Sequence, residues 1–361
     1  MAMFEDFYRG KTVLVTGHTG FKGSWLSMWL LELGAKVIGY ALDPYTERDN
    51  FVLAGLSDKL IDVRADINDR ARVLEVIQTH QPDLIFHLAA QPLVRESYTT
   101  PLETYQTNVM GTLHVLEAIK TLTKPVSAVM VTTDKCYHNK EQLWGYREDD
   151  ALGGYDPYSS SKAAAELAIA SWRQSFFNPL HYEDHHKSIA SVRAGNVIGG
   201  GDWAKDRIIP DCIRALEASS PIDIRNPQAT RPWQHVLEPL YGYLLLGSRL
   251  AKEPTKYAEA WNFGPPMKAV IPVWEVAKSV VKAYGQGEVR DMSTSKQPHE
   301  ARLLALDITK AMSRLAWKPV WSVQEALKMT VAWYLQYQQG DGYQLNQAHL
   351  QAYEKALKQH G

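Results

Sequence analysis

Residues 12–23 have the sequence TVLVTGHTGFKG, a short apolar run followed by a turn rich in glycine. The β-branched and aliphatic residues at positions 12–15 are typical of a strand buried in a parallel sheet. The sequence that follows predicts a helix over residues 21–33, with Gly34 as its stop. A strand, a glycine turn and a helix in this order open a dinucleotide-binding unit, because glycine lets a pyrophosphate approach the helix N-terminus.

Strands and helices continue to alternate beyond this unit, which predicts an α/β fold with a Rossmann-type doubly wound parallel sheet. Further strands are predicted at residues 36–42, 60–64, 83–90, 126–131 and 189–192. Further helices are predicted from Pro101 onward and at residues 157–175, 237–250, 273–284, 322–338 and 345–358. We expect residues 1–195 to form the dinucleotide-binding domain and to carry the catalytic residues. Residues 196–361 are expected to form mainly a smaller mixed α/β substrate-binding lobe, with some segments returning to the first domain.

The glycine turn and an acid after the second predicted strand favour NAD as the cofactor. Gly17, Gly20 and Gly23 have the spacing G-x-x-G-x-x-G, and Asp43 lies 20 residues after the last of them. A carboxylate at this place accepts hydrogen bonds from the adenosine ribose and repels a 2′-phosphate, so NAD is favoured over NADP. The alternative is that Asp43 is a turn residue before Pro44.

A tyrosine and a lysine four residues apart are the candidate catalytic pair. Tyr158 and Lys162 lie in an alanine-rich run that predicts a helix, so that both side chains share one helical face. An ammonium group one turn away can lower the pKa of a phenol from about 10 toward neutrality. The phenol then becomes a general base for a hydroxyl proton. The alternative is a solvated lysine and a half-buried tyrosine on an ordinary helix.

Two further groups of polar residues are placed for ligand binding. Residues 132–135, Thr-Thr-Asp-Lys, follow the fifth predicted strand at its carboxyl end, where open α/β sheets bind ligands. Alternatively, these four residues are only the polar beginning of the loop that follows the strand. Beyond Gly201, arginines 207, 225 and 231 lie among aromatic residues, which suits a phosphorylated ligand with a stacking base.

Composition excludes several classes of function. The net charge is −1 and the charged residues, 22% of the chain, form no long single-sign runs, so nucleic acid or an anionic membrane is not a predicted partner. Cys136 and Cys212 form neither a disulfide framework nor a metal-ligand spacing, and we predict no metal site. The N-terminus lacks a basic leader and no apolar run of about 18 residues exists. We therefore expect a soluble, unprocessed cytoplasmic protein.

With these motifs the chain, over roughly residues 10–335, resembles the extended short-chain dehydrogenase/reductases that act on nucleotide sugars. Residues 133–135 are similar to the Thr-Asp-Glu triplet of the nucleotide-sugar 4,6-dehydratases, with lysine in the third position. Residues 17–25 and 231–236 strengthen this resemblance. It implies an NAD-dependent oxidation, elimination and reduction of CDP-glucose to the 4-keto-6-deoxy sugar, on a bacterial route to the dideoxysugars of lipopolysaccharide O-antigens.

The resemblance also implies roles for the catalytic residues. Tyr158 takes the proton of the C4 hydroxyl, Thr133 hydrogen-bonds the same oxygen, and Asp134 is the acid that helps water leave from C6. Lys135 stands where relatives have the glutamate that removes the C5 proton. It can remove this proton only if its amine is neutral, which requires burial or nearby cations. Alternatively it stays charged and stabilises an enolate, while another group removes the proton.

Binding residues and partners follow from the same resemblance. Contacts to NAD are implied for Gly17, Gly20, Phe21, Gly23, Asp43, Asp66, Ile67, Leu88, Ala89, Ala90, Asn108, Thr132, Tyr158 and Lys162. Contacts to the nucleotide sugar are implied for Asn196, Arg207, Arg231 and His299. A homodimer or homotetramer paired through the helices around Asn108 and Tyr158 is expected. The alternative functions are a nucleotide-sugar 4-epimerase or decarboxylase, and a regulator that binds NAD without turnover.

Overall fold

The computed structural model describes residues 3–293 and 303–360, with thirteen strands in this part of the chain. They are β1 (Thr12–Thr16), β2 (Lys36–Ala41), β3 (Ile61–Arg64), β4 (Leu84–His87), β5 (Val126–Val131), β6 (Lys187–Ala194), β7 (Val197–Ile198), β8 (Ile222–Ile224), β9 (Thr230–Arg231), β10 (Gln234–His235), β11 (Ala260–Phe263), β12 (Ile271–Pro272) and β13 (Val289–Asp291).

The α-helices lie between these strands and at the C-terminal end. They are α1 (Phe21–Glu32), α2 (Asn50–Leu53), α3 (Arg70–His80), α4 (Val94–Thr99), α5 (Pro101–Tyr105), α6 (Gly111–Lys120), α7 (Pro157–Ser175), α8 (Tyr182–His185), α9 (Ile208–Glu217), α10 (Leu237–Lys252), α11 (Pro254–Tyr257), α12 (Val273–Tyr284), α13 (Thr309–Arg314), α14 (Val323–Gln336) and α15 (Gly342–His360). A π-helical turn, Gln106–Met110, joins α5 to α6, and short 3₁₀ turns include Asp134–Cys136.

Seven strands form one parallel sheet in the order β11-β6-β5-β4-β1-β2-β3. The order reverses between β1 and β4, which are hydrogen-bonded neighbours although two strands separate them in the chain. The predicted Rossmann-type doubly wound sheet is therefore confirmed. Ligands of such sheets bind at the carboxyl ends of the strands beside this switch point.

Both faces of the sheet are covered, which explains the continuous apolar runs in its strands. Successive residues of one strand belong to two different cores: Leu14 and Ile85 pack in one cluster, whereas Val13, Val15 and Phe86 pack in the other. All five side chains are buried. The strands are thus held by packing on both faces of the sheet. The loops at their carboxyl ends therefore start from fixed positions.

The structure corrects two of the predicted elements. The predicted strand 83–90 ends at His87, and residues 88–90 turn out of the sheet toward the switch point. The strand Ala260–Phe263 was not predicted, although it pairs with β6 as the seventh strand of the sheet. Only four residues long, it lies in the half of the chain that we assigned mainly to the substrate lobe. The division of the chain at residue 195 stays a prediction.

The helix near the C-terminus, α15, packs against α10 and against residues of the predicted dinucleotide-binding half of the chain. Tyr353 donates a hydrogen bond to Glu238 Oε2 at 2.8 Å, and Trp29 Nε1 donates to Glu354 Oε1 at 3.2 Å. Asn346 donates to Asn50 Oδ1 at 2.7 Å. Among the described helices, none combines the length and the hydrophobicity that crossing a bilayer requires.

Candidate active site

The glycine turn between β1 and α1 has a shape that only glycine permits. Gly17 has φ +75°, and a Cβ there would lie 2.8 Å from the backbone nitrogen of Ala89. A Cβ at Gly23 would lie 2.0 Å from the carbonyl oxygen of Gly17. Gly20 precedes α1 without a side-chain cap, which leaves the first amides of the helix facing the turn. This cradle fits the pyrophosphate of a dinucleotide.

Hydrogen bonds of Thr16 hold the exit of β4 against the glycine turn. Its Oγ1 accepts the backbone N–H groups of Leu88 at 3.1 Å and Ala89 at 3.2 Å, and it bonds His87 Nδ1 at 2.8 Å. Burial lowers the pKa of His87 to about 3, so its imidazole is neutral. The backbone of residues 88 and 89 is therefore held beside the glycine turn, and contact of residues 88–90 with a cofactor stays a prediction.

At the adenosine end of the cleft, Asp43 is highly exposed and lies close to an arginine that we did not predict. Arg64 Nη1 lies 3.2 Å from Asp43 Oδ1, and Arg64 also binds both oxygens of Asp62 at 2.7 Å. Asp62 Oδ1 lies 2.8 Å from His18 Nε2. Asp43 therefore lies beside a fixed cation, and its contact with a ribose stays a prediction. The signal that could have found Arg64 is its place at the end of the third predicted strand.

Three further residues predicted at the cofactor mainly support the loops around it. Asp66 accepts the backbone N–H of Asn68 at 2.9 Å, and Ile67 fills the space above Gly111. Asn108 lies on the π-helical turn and is fully buried. Its amide accepts from Gln91 N at 2.9 Å and donates to Ser161 Oγ at 2.9 Å. These contacts fix the loop after β4 against the helix that carries Tyr158; contact of Asp66, Ile67 and Asn108 with NAD stays a prediction.

The helix α7 presents the candidate catalytic pair to the same cleft. Asp156 caps the helix by accepting the Ser159 N–H at 2.8 Å, and Pro157 occupies the first helical position. Tyr158 and Lys162 are both buried, with 8% and 5% of their surface exposed. The Lys162 ammonium donates to the carbonyl of Val131 at 3.4 Å, which ties it to the end of β5.

The predicted lowering of the Tyr158 pKa by Lys162 is not what the structure shows. Burial raises the pKa of Tyr158 to about 12, opposed by a hydrogen bond with Thr133 and by the Arg207 guanidinium. Burial also lowers the pKa of Lys162 to about 8. The spacing of two residues on a helix does not reveal that the phenol is removed from solvent. For the phenolate, the cost of this loss of solvent outweighs the attraction of one nearby cation.

The residues after β5 form a polar cluster at its carboxyl end. Thr133 donates to Asp134 Oδ1 at 3.0 Å, and Lys135 Nζ lies 3.3 Å from the same oxygen. Asp134 is fully buried, and its Oδ2 has no hydrogen-bond partner among the described residues. A Cβ at Gly195 would lie 3.1 Å from this oxygen, so glycine leaves space in front of it. Asp134 therefore keeps one buried carboxylate oxygen that no described residue engages.

Two cations from other elements act on residues of this cluster. Arg207 begins α9, forms an ion pair with Asp202 at 2.8 Å, and acts on Tyr158 through its charge. Lys22, in the first turn of α1, faces Arg207, Asp134, Lys162 and Lys135. Burial and the neighbouring cations lower the pKa of Lys22 to about 7. We did not predict Lys22, although a lysine in the first turn of a helix opposes the helix dipole and is a usable signal.

The remaining predicted substrate ligands have different outcomes. Asn196 follows β6, and its Oδ1 is buried without a partner in the part of the chain that the structure describes. Arg231 is buried and donates to the carbonyl of Thr230 at 2.8 Å. His299 lies outside the described residues. Contact of these residues with a substrate stays a prediction.

The strand order and the Tyr158–Lys162 pair beside the switch point define the class of the protein as a dinucleotide-dependent enzyme with a Rossmann-type sheet. A model of the GDP-mannose 4,6-dehydratase family matches residues 14–330, and the chain belongs to this family.

Individual relatives support the same assignment. The chain is 49% identical over 337 residues to the CDP-glucose 4,6-dehydratase of Salmonella typhimurium, which covers 93% of this chain and 94% of the relative. It is 26% identical to dTDP-glucose 4,6-dehydratase 1 of Escherichia coli, with 90% and 92% covered. The solved structure of DesIV, a dTDP-glucose 4,6-dehydratase from Streptomyces venezuelae with NAD and TYD bound, has a TM-score of 0.76 at 24% identity, with 90% and 97% covered. The predicted resemblance to nucleotide-sugar dehydratases is confirmed.

Proposed function

We propose that the protein converts CDP-D-glucose to CDP-4-keto-6-deoxy-D-glucose and water. The enzyme is an NAD-dependent nucleotide-sugar dehydratase. One observation carries the proposal: at the end of β5 the free Oδ2 of Asp134 lies in one polar cluster with Thr133, Lys135 and Tyr158. An epimerase has no use for an acid and a lysine that act on C5 and C6 of the sugar. Elimination of water requires both kinds of group.

The residues of the glycine turn and of the β4 exit would hold NAD, with Asp43 at the adenosine ribose. When bound, NAD supplies the hydride acceptor and donor for the sugar. Tyr158 accepts the proton of the C4 hydroxyl, and Thr133, which hydrogen-bonds the phenol, orients the same oxygen. The ammonium of Lys162, which donates to the carbonyl of Val131, stabilises the phenolate form of Tyr158 that accepts this proton.

Elimination uses the other half of the cluster. A ketone at C4 makes the C5 proton acidic, so that a base can remove it while the C6 hydroxyl leaves as water. In its protonated form Asp134 gives a proton to the leaving hydroxyl through Oδ2, the oxygen without a hydrogen-bond partner among the described residues. Lys135 lies 3.3 Å from the other oxygen of Asp134 and acts on C5, either as the base or as the charge that stabilises the enolate.

The function is tested by offering the protein CDP-glucose and dTDP-glucose in parallel. We expect CDP-glucose to lose one water, with the mass difference located in the sugar, and dTDP-glucose to react far more slowly. An unchanged mass with inversion at C4 would identify a 4-epimerase instead. Binding of NAD with no change in either sugar would identify a regulator.

Assembly and location are part of the proposal. Pairing is expected through the helices around Asn108 and Tyr158, and helices α4, α5 and α7 in this region expose apolar side chains. Leu102 is 80% exposed, Leu167 60% and Tyr98 49%, which supports a homodimer or homotetramer formed through this face. A cytoplasmic location and a role in O-antigen biosynthesis fit an enzyme that acts on nucleotide sugars and whose cysteines are reduced and buried.

Lys22 gives the proposed substrate site a testable pH dependence. Because the pKa of Lys22 is about 7, most of its amine is neutral at pH 8. A diphosphate bound nearby favours the charged form of this amine. We therefore expect CDP binding at pH 8 to take up close to one proton. Calorimetry in buffers of different ionisation enthalpy measures this uptake directly.

The variant K22M should lose the proton uptake and weaken CDP binding about tenfold, because the positive charge that would attract the diphosphate is lost. K318M, which removes an exposed lysine elsewhere, is the matched control and should change neither quantity. Proton uptake that persists in K22M would assign the titration to another group.

A further inference from the structure

Glu166 is a buried acid one helical turn beyond Lys162, on the same face of α7. Only 2% of its surface is exposed, and both oxygens are fully engaged. Oε1 accepts the hydroxyl of Thr132, while Oε2 accepts Ser191 Oγ at 2.9 Å and Arg193 Nη2 at 2.8 Å. A carboxylate held by three donors in a dry site has one position and one orientation.

The partners of Glu166 connect it to the catalytic strand and to the rest of the sheet. Thr132 immediately precedes Thr133, so its hydroxyl fixes the backbone that delivers the catalytic threonine. Arg193 continues the network by donating to the phenol of Tyr137 at 2.7 Å, and Tyr137 donates to Asn262 Oδ1 at 2.8 Å. The network therefore spans β5, β6 and β11 beneath the cleft.

The charges around Lys162 make Glu166 its main ionic counterpart. The titratable groups that act on Lys162 are Glu166 on its own helix and the Cys136 thiol after β5. Lys162 in turn acts on His87 of β4 and on Lys22 of α1. Burial opposes ionisation of Glu166, but the Arg193 guanidinium holds the pKa of this carboxyl below its usual value. Glu166 is thus an anion placed among groups that are neutral or positive.

We propose that Glu166 is a positioning residue, which holds the ammonium form of Lys162 in the cleft and fixes the backbone of Thr132 before the catalytic threonine. This role deepens the proposed function, on which it rests. Lys162 is deeply buried, and a buried ammonium without a nearby anion would release its proton. Arg193 matters indirectly, because it keeps Glu166 ionised.

The direct test measures the protonation of Lys162 without any catalysis. Cofactor-free protein is labelled with acetic anhydride across a pH series, and the rate at Lys162 is followed by peptide mass spectrometry. In E166Q we expect the labelling midpoint to fall by about one pH unit or more relative to wild type, because one nearby charge is lost. S191A is the matched control: it removes a hydrogen bond to Glu166, keeps the carboxylate, and should leave the midpoint unchanged.

Thermal unfolding checks that each variant is folded. If E166Q leaves Arg193 too poorly paired to fold, the double variant E166Q/R193Q replaces the ion pair by two amides. Its midpoint should fall as well, because Glu166 is the charged group that acts most strongly on Lys162. A midpoint within about 0.3 pH units of wild type in the folded variant overturns the proposal.

A second measurement relates this role to the reaction. The activity of wild type with CDP-glucose should decline at high pH as Lys162 loses its proton, and in E166Q this decline should move to lower pH by the same amount. A purely structural role would lower the rate equally at every pH. If wild type makes no dehydrated sugar, the proposed function fails, whereas the labelling result still decides the role of Glu166.

Discussion

Replacing Tyr158 by phenylalanine should lower kcat for dehydration by about 10²- to 10⁴-fold, the range expected for loss of a general base. The substitution removes only the phenol oxygen and keeps the ring that packs in the cleft. Because the first proton transfer is needed before C5 becomes acidic, oxidation and elimination should both stop. Product formation from CDP-glucose, followed by mass, measures the loss.

The control for this variant is Y155F, which removes the oxygen of a tyrosine that is 76% exposed three residues earlier. It should behave as wild type. NAD affinity should change little in Y158F, and this separates a catalytic loss from a binding loss. A keto-deoxy sugar formed by Y158F at the wild-type rate would contradict the whole reaction scheme.

The variant K135A should lose dehydration by a factor of about 10² or more, because the C5 proton then has neither a base nor a stabilising charge. Lys135 Nζ lies 3.3 Å from Asp134 Oδ1, so its removal also leaves that oxygen with one donor fewer. K140A, which truncates an exposed lysine five residues later, is the control and should be unaffected. If K135A dehydrates CDP-glucose normally, Lys135 has no essential role.

The variant K135R distinguishes the two roles that remain for Lys135. Arginine keeps the charge but does not accept a proton at neutral pH. If Lys135 stabilises the enolate, K135R should keep measurable activity; if Lys135 is the base, K135R should be as inactive as K135A. In the second case small primary amines should restore part of the activity of K135A, with a pH dependence that follows the neutral amine.

Local sequence predicted the elements that local physics controls. The glycine turn, the strands β1 and β2 and the helix with Tyr158 and Lys162 were all predicted close to their observed bounds, because steric limits and apolar periodicity act over a few neighbouring residues. The four-residue strand Ala260–Phe263 carried too little pattern to be identified. Its position depends on pairing with β6, which is remote in the chain.

The charge states in the candidate site were predicted less well, because they too depend on residues that are remote in the chain. The lowered pKa expected for Tyr158 came from one neighbour, Lys162, whereas burial by surrounding elements raises the pKa to about 12. Lys22 and Arg64 escaped prediction because charged groups that act on them, Asp134 on Lys22 and Asp43 on Arg64, come from other parts of the chain. The charge state of a buried group depends on everything that excludes water from it.

By itself the sequence determined the fold class, the glycine turn and the family to which the chain belongs, and it supplied the candidate residues of the reacting cluster. Only the tertiary structure decided which oxygen of Asp134 is free, which cations face it, and that Glu166 lies beneath Lys162 with Arg193 as its partner. Residue type and spacing fix what a side chain is able to do. The charge state and the contacts that the side chain adopts depend on neighbours from distant parts of the chain and on the water that these neighbours displace.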